Sequence, residues 1–160
     1  MKYIFLIAAF NSFFFATLLL QKKPKVLSDR ILFFWLVYLG LFTTLYTFST
    51  HEFLSPINNL SSIIVSLFLL HGPFLYLYVE SFTSGKNRPA LKDLIHFVPF
   101  ISFFLYLNIS MFYPEYSGRL RMDHVDRDEK PSVVFVIFLL STAISGPGYF
   151  YVSLRKVWKE

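Results

Sequence analysis

The stretch Ile31–Thr50, ILFFWLVYLGLFTTLYTFST, holds no charged residue. A helix needs about 20 mostly apolar residues to cross the hydrocarbon core of a bilayer, so this one run meets the length on its own. Further runs of the same kind lie on either side of it. Tyr3–Leu20 reads YIFLIAAFNSFFFATLLL and is ended by Lys22, Lys23, Pro24 and Lys25. Residues 60–80, 94–113 and 133–154 complete a set of five, the last followed by Arg155, Lys156 and Lys159. Inside a bilayer every backbone polar group must be satisfied within its own segment, and this favours helices. A β-barrel would show short alternating segments, whereas these runs are apolar on all sides. The expected fold is all-α: one polytopic bundle of about five transmembrane helices over residues 1–160.

The bulk composition agrees with this. Of 160 residues, 55% are apolar, 21% aromatic and 16% charged, with a mean hydropathy of +0.53. A soluble domain carries roughly 25% charged residues. The chain has no cysteine, which excludes disulfides, thiolate metal sites and cysteine nucleophiles. Lys2 alone is a poor basic start for a signal peptide, and no small-x-small cleavage site precedes Lys22. The first run therefore reads as a retained anchor.

Prolines and turn formers punctuate the runs. Ser28 or Asp29 can cap the second helix. Pro56, Asn58 and Asn59 open the third, and Gly85, Asn87 and Pro89 precede the fourth. Pro114 and Pro131 bracket the longest connection. With the N-terminus outside, the inner side carries Lys22, Lys23, Lys25, Arg30, Lys86, Arg88, Lys92, Arg155, Lys156 and Lys159. The outer side carries Lys2, Arg119, Arg121, Arg127 and Lys130. Ten basic residues against five predict an outside N-terminus and a cytoplasmic C-terminus. The net charge of +5 is thus an orientation signal, and no direct nucleic-acid contact is expected from these residues.

Polar groups within the runs are few, and such groups are functional candidates. His71 sits in Leu70-His71-Gly72-Pro73, near the middle of the third run. Pro73 has no N–H, so the carbonyl of Leu69 loses its helical donor and a bend is expected. His71, Gly72 and Pro73 form the candidate hinge, with Tyr76, Tyr78 and Glu80 following on the same run. Glu80 is expected at the interface near Lys86 or Arg88. His96 and Pro99 open the fourth run. Trp35, Tyr38, Tyr106, Tyr149 and Trp158 suit an aromatic belt at the membrane surface. Ser62 with Ser66, Ser141 with Ser145, and Thr142 with Gly146 have the spacing that lets helices approach closely. Gly146-Pro147-Gly148 is expected to break the fifth helix and leave its last turns as a separate piece.

Catalytic and metal chemistry has little to stand on. Asp123, His124, Asp126, Asp128 and Glu129 lack the glycine and further acid of a calcium loop. Histidines 51, 71, 96 and 124 lie in separate regions, so no helix-borne pair marks zinc. Asn59-Leu60-Ser61 is a glycosylation triplet only in a eukaryotic secretory setting. No phosphate loop, dinucleotide fingerprint, HExxH or G-x-S-x-G occurs. No enzyme activity and no cofactor are expected. The expected partners are the bilayer and other transmembrane helices, including those of a second copy, with the ligand unnamed.

One stretch is more specific: Leu69-Leu70-His71-Gly72-Pro73-Phe74-Leu75-Tyr76-Leu77-Tyr78-Val79-Glu80-Ser81-Phe82-Thr83, then Leu94-Ile95-His96-Phe97-Val98-Pro99-Phe100. It resembles the membrane-embedded amino-terminal region of bacterial AraC-family transcriptional regulators. In these, transmembrane helices precede a helix-turn-helix DNA-binding domain. The resemblance implies a sensory domain in the bacterial inner membrane, passing a signal to a cytoplasmic DNA-binding domain that these residues lack. It also makes the chain read as the front of a longer protein, a truncated seven-helix unit. The alternative reading is a small transport or channel component, or a stand-alone membrane protein.

Overall fold

The computed structural model describes residues 2–49, 60–85, 88, 90–109 and 133–158. The connections expected at Pro56–Asn59 and Pro114–Pro131, with Asp123, His124, Asp126, Asp128 and Glu129, lie outside the described residues, as do Lys86, Asn87, Pro89 and Lys159. Among the described residues there is no strand, and five helical stretches are long and apolar enough to cross a membrane: Tyr3–Gln21, Leu27–Ser49, Ile63–Thr83, Leu91–Asn108 and Val136–Val157. The all-α bundle expected from the charge-free runs is what forms.

Helix α1 (Lys2–Gln21) lies antiparallel on α2 (Leu27–Ser49). Phe13 seats on Gly40, where an added Cβ would meet its ring at 2.7–2.9 Å. Ala9 and Ala16, four residues before and three after Phe13, are buried in the same seam. A small residue facing a large one lets two backbones close on each other where lipid supplies no hydrophobic drive.

The start of α2 departs from the expected cap. The helix begins at Leu27, before Ser28 and Asp29. Asp29, on the first turn, reaches back so that its Oδ2 accepts the Val26 N–H at 3.2 Å, while its Oδ1 accepts Lys22 Nζ at 2.7 Å. This is the return half of a capping box, which satisfies an N–H the helix cannot. The fourth span starts the same way: Asp93 Oδ2 accepts the Ala90 N–H at 2.8 Å, and the Asp93 N–H donates to the Ala90 carbonyl at 2.9 Å.

The third span is composite. Helix α3 (Leu60–Leu67) tightens into a 3-10 turn (Phe68–Leu70) and continues as α4 (His71–Thr83). It occupies the centre, with α2 on one side and the last helix on the other. The fourth span is a 3-10 segment (Leu91–Phe97) running into α5 (Val98–Asn108), with Pro99 near its first turn, where a missing N–H costs nothing. The last span is α6 (Val133–Val157), and it corrects an expectation. Gly146-Pro147-Gly148 does not divide it: the helix runs through Pro147 without interruption. Pro147 removes one backbone hydrogen bond, whereas leaving the helix in an apolar setting would strand several.

Hydroxyls inside the spans bond their own helix. Thr43 donates to the Leu39 carbonyl, Thr44 to Gly40, Thr47 to Thr43, and Thr142 to Phe138, at 2.7–3.0 Å. Ser66, fully buried, donates to the Ile63 carbonyl at 2.8 Å. These five hydroxyls are thereby satisfied without water, whereas Ser153 Oγ, Trp35 Nε1 and Asn108 Oδ1 are buried with no hydrogen-bond partner among the described residues.

Candidate functional site

The stretch His71–Glu80 is a single helix, so its residues divide by period. His71, Phe74 and Tyr78 face α2, while Gly72, Tyr76 and Glu80 face α6.

On the α2 side, the His71 ring lies edge-on to Tyr38 at 5.2 Å and to Phe42 at 5.7 Å between centroids. Tyr38 stacks on Phe74 at 5.5 Å, and Trp35 meets Tyr78 at 6.4 Å. His71 is thus walled by rings, with no hydrogen bond to its ring nitrogens among the described residues. Tyr38 is an interior group of the bundle, and Trp35 is half-buried beside it. Tyr38 is 8% exposed and donates its hydroxyl to the Leu67 carbonyl at 2.8 Å. That carbonyl is at the break. The His71 N–H turns to Phe68 in the tightened turn, away from Leu67, its α-helical partner. The irregularity expected at Pro73 therefore falls one turn earlier, at Phe68–Leu70, and the side-chain donor comes to Leu67 instead of Leu69. Pro73 itself is fully buried.

On the α6 side, Gly72 is held by space. A Cβ there would run into the Tyr149 ring and lie 2.9 Å from Ser145 Oγ. Of the small-residue pairs on α6, Ser145 is the member that meets α4, whereas Gly146 and Gly148 have nothing within 4 Å of an added Cβ. Further along, three rings from three spans converge. Tyr76 and His96 are 4.5 Å apart, His96 and Tyr149 5.5 Å, and Tyr76 and Tyr149 6.1 Å. His96 Nδ1 and the Tyr149 hydroxyl are hydrogen-bonded at 3.1 Å, the His96 tautomer setting which of them donates. Lys156 Nζ donates to the Tyr76 hydroxyl at 3.0 Å, sits 4.6 Å from that ring's centre, and pairs with Glu80. An open cleft of about 340 Å³ borders this cluster, lined by Tyr76, His96, Ile144, Ser145, Gly148, Tyr149 and Val152.

The structure therefore joins Gly72, Tyr76, Glu80, His96 and Gly148 into one locus and leaves Pro99 and Gly146 outside it. Glu80 is met by Lys156 of the last span, and Arg88 lines a small cleft together with Glu80, Asp93, Leu27 and Leu77. Tyr149 and Lys156 are the site residues that the motifs do not mark. One signal for them exists in the sequence. Spans three and five run in the same direction, so the ends carrying Glu80 and Lys156 fall on one side. Among the described residues, no group of three histidines or acids is placed to hold a metal. The locus can hold a hydrogen bond between His96 and Tyr149 and an ion pair at a helix end, and admit an apolar molecule of modest size. No family model, curated protein or solved structure matches the chain.

Proposed function

We propose that the chain is the membrane-embedded sensory domain of a membrane-bound bacterial transcription regulator, and that the third span is its moving part. The observation that carries the reading is the 3-10 turn at Phe68–Leu70, directly ahead of His71-Gly72-Pro73 and gripped from two sides. Tyr38 of α2 bonds the Leu67 carbonyl, and Tyr149 of α6 fills the space Gly72 leaves. A tightened turn in the middle of a span often marks a hinge. A signal that alters packing between α4 and either neighbour shifts the other, because the two contacts flank the same turn. Residues 155–157 of α6, tied to α4 through Lys156 and Glu80, would deliver that shift to the cytoplasmic side. The resemblance of Leu69–Phe100 to the membrane region of AraC-family regulators supports the same reading and supplies its output, a helix-turn-helix domain.

The test places Tyr38→Phe, which removes only the donor to the Leu67 carbonyl, in the chromosomal gene and compares transcripts with the parent strain. A defined set of genes should change by several-fold while membrane levels of the protein stay normal. An unchanged transcript profile at normal levels would reject the reading. Reading the DNA beyond the Glu160 codon adds a second check, since no helix-turn-helix sequence there or in an adjacent gene would remove its output. The open cleft beside an interrupted span favours a second reading, a small transport component, because interrupted helices often form transporter sites. Flux across liposomes carrying the purified chain would favour that alternative.

A further inference from the structure

We propose that the cleft between α4, α6 and the His96 turn holds one acyl chain of an anionic phospholipid, with the headgroup at Arg155 and Lys156. Ile144, Ser145, Gly148, Tyr149 and Val152 recur every three or four residues along α6 and line the cleft. They form one strip, about 12 Å long at the helical rise. Gly148 is its floor: nothing lies within 4 Å of where a Cβ would stand. The cleft is open on a bundle whose spans are read as crossing a bilayer, so the molecules facing it are lipids. Ligand pockets run from about 300 to 1,000 Å³, and 340 Å³ is at the small end. It suits one chain, the other remaining in the bilayer.

Charge selects the headgroup. The next turn of the same strip carries Arg155 and Lys156, the basic residues of the helix's last turn. Lys156 is at the mouth, since its Nζ touches the Tyr76 hydroxyl and the Tyr76 ring lines the cleft. Glu80 pairs with Lys156, and exposed Arg155 on the same turn adds a further positive charge. Basic pockets between spanning helices bind acidic headgroups. Binding stands apart from the signalling reading and is measured without any signal output.

Purified chain is equilibrated with vesicles of equal phosphatidylglycerol and phosphatidylcholine, extracted in mild detergent, and its retained lipids are weighed by mass spectrometry. Phosphatidylglycerol should exceed phosphatidylcholine by about fivefold, the effect of one basic group near a membrane surface. Arg155→Gln should bring the ratio near one. Gly148→Leu, whose side chain enters open space, should strip both lipids while the helical circular dichroism is unchanged; Val152→Phe narrows the same cleft and serves if the first variant does not fold. Equal retention of both lipids by the parent chain overturns the proposal. So does a phosphatidylglycerol preference that survives both cleft variants, or retention of a fatty acid in its place.

Discussion

At the scale of single residues, Gly72 and Tyr38 show how the break in the third span is held. Sequence alone makes Gly72 look like a source of flexibility beside Pro73. In the structure it is a position where α4 and α6 come too close for any side chain, with the Tyr149 ring occupying the space. Gly72→Val should therefore destabilise by overpacking, about 1–3 kcal/mol. The loss should shrink in a Tyr149→Ala background, because residues in contact couple. Unfolding in mixed detergent reads both, and equal losses in the two backgrounds would place the cost elsewhere. Tyr38→Phe keeps the rings on His71 and Phe74 and removes only the donor to the Leu67 carbonyl. Such bonds between spans average about 0.6 kcal/mol. The same assay should find a loss of that order, and no loss would deny the hydroxyl its role at the turn.

At the scale of elements, the third span is two helices meeting at a tightened turn, and Pro73→Ala tests what maintains it. Alanine restores an N–H that can bond the Leu69 carbonyl, which should let α-helical geometry run through Phe68–Leu70. Amide hydrogen exchange over residues 67–72 should slow several-fold, and a set of transcripts should lock in one state. Unchanged exchange and output would sink the hinge. Much of this element was legible beforehand: charge-free runs located every span, and the proline located the irregularity to within a turn. The exact turn was not legible, because the donor that settles it, Tyr38, lies on another helix. Tyr38 and Tyr149 look like belt residues in sequence, as nothing in a lone tyrosine tells an interior contact from an interfacial one. Gly146-Pro147-Gly148 misleads for the opposite reason. Local propensity argues for a break, but an apolar surrounding penalises every backbone group a break would free.

At the scale of the whole molecule, contacts gather the charged ends of the spans together. Lys22 pairs with Asp29 between spans one and two, Glu80 with Lys156 between spans three and five, and one small cleft brings Leu27, Glu80, Arg88 and Asp93 together. The alternating direction of the spans thus puts Lys22, Lys23, Lys25, Arg30, Arg88, Lys92, Arg155 and Lys156 at one end of the bundle. Basic residues in short connections are retained on the cytoplasmic side, so this end should face the cytoplasm. A green fluorescent protein fused after Trp158 should fluoresce, and alkaline phosphatase at the same point should be inactive. Reporters inserted near residue 55, in the connection without Lys or Arg, should give the reverse. Active phosphatase after Trp158 would invert the bundle. It would also set the Arg155–Lys156 mouth of the cleft against the outer leaflet and carry any signal from the third span away from the cytoplasm. The Glu80–Lys156 pair is tested independently of orientation. Glu80→Gln should cost about 1.5–3 kcal/mol, as expected for a hydrogen bond to a charged group. Exchanging the two charges should recover part of that loss, since the pair joins two parallel helices at matching heights.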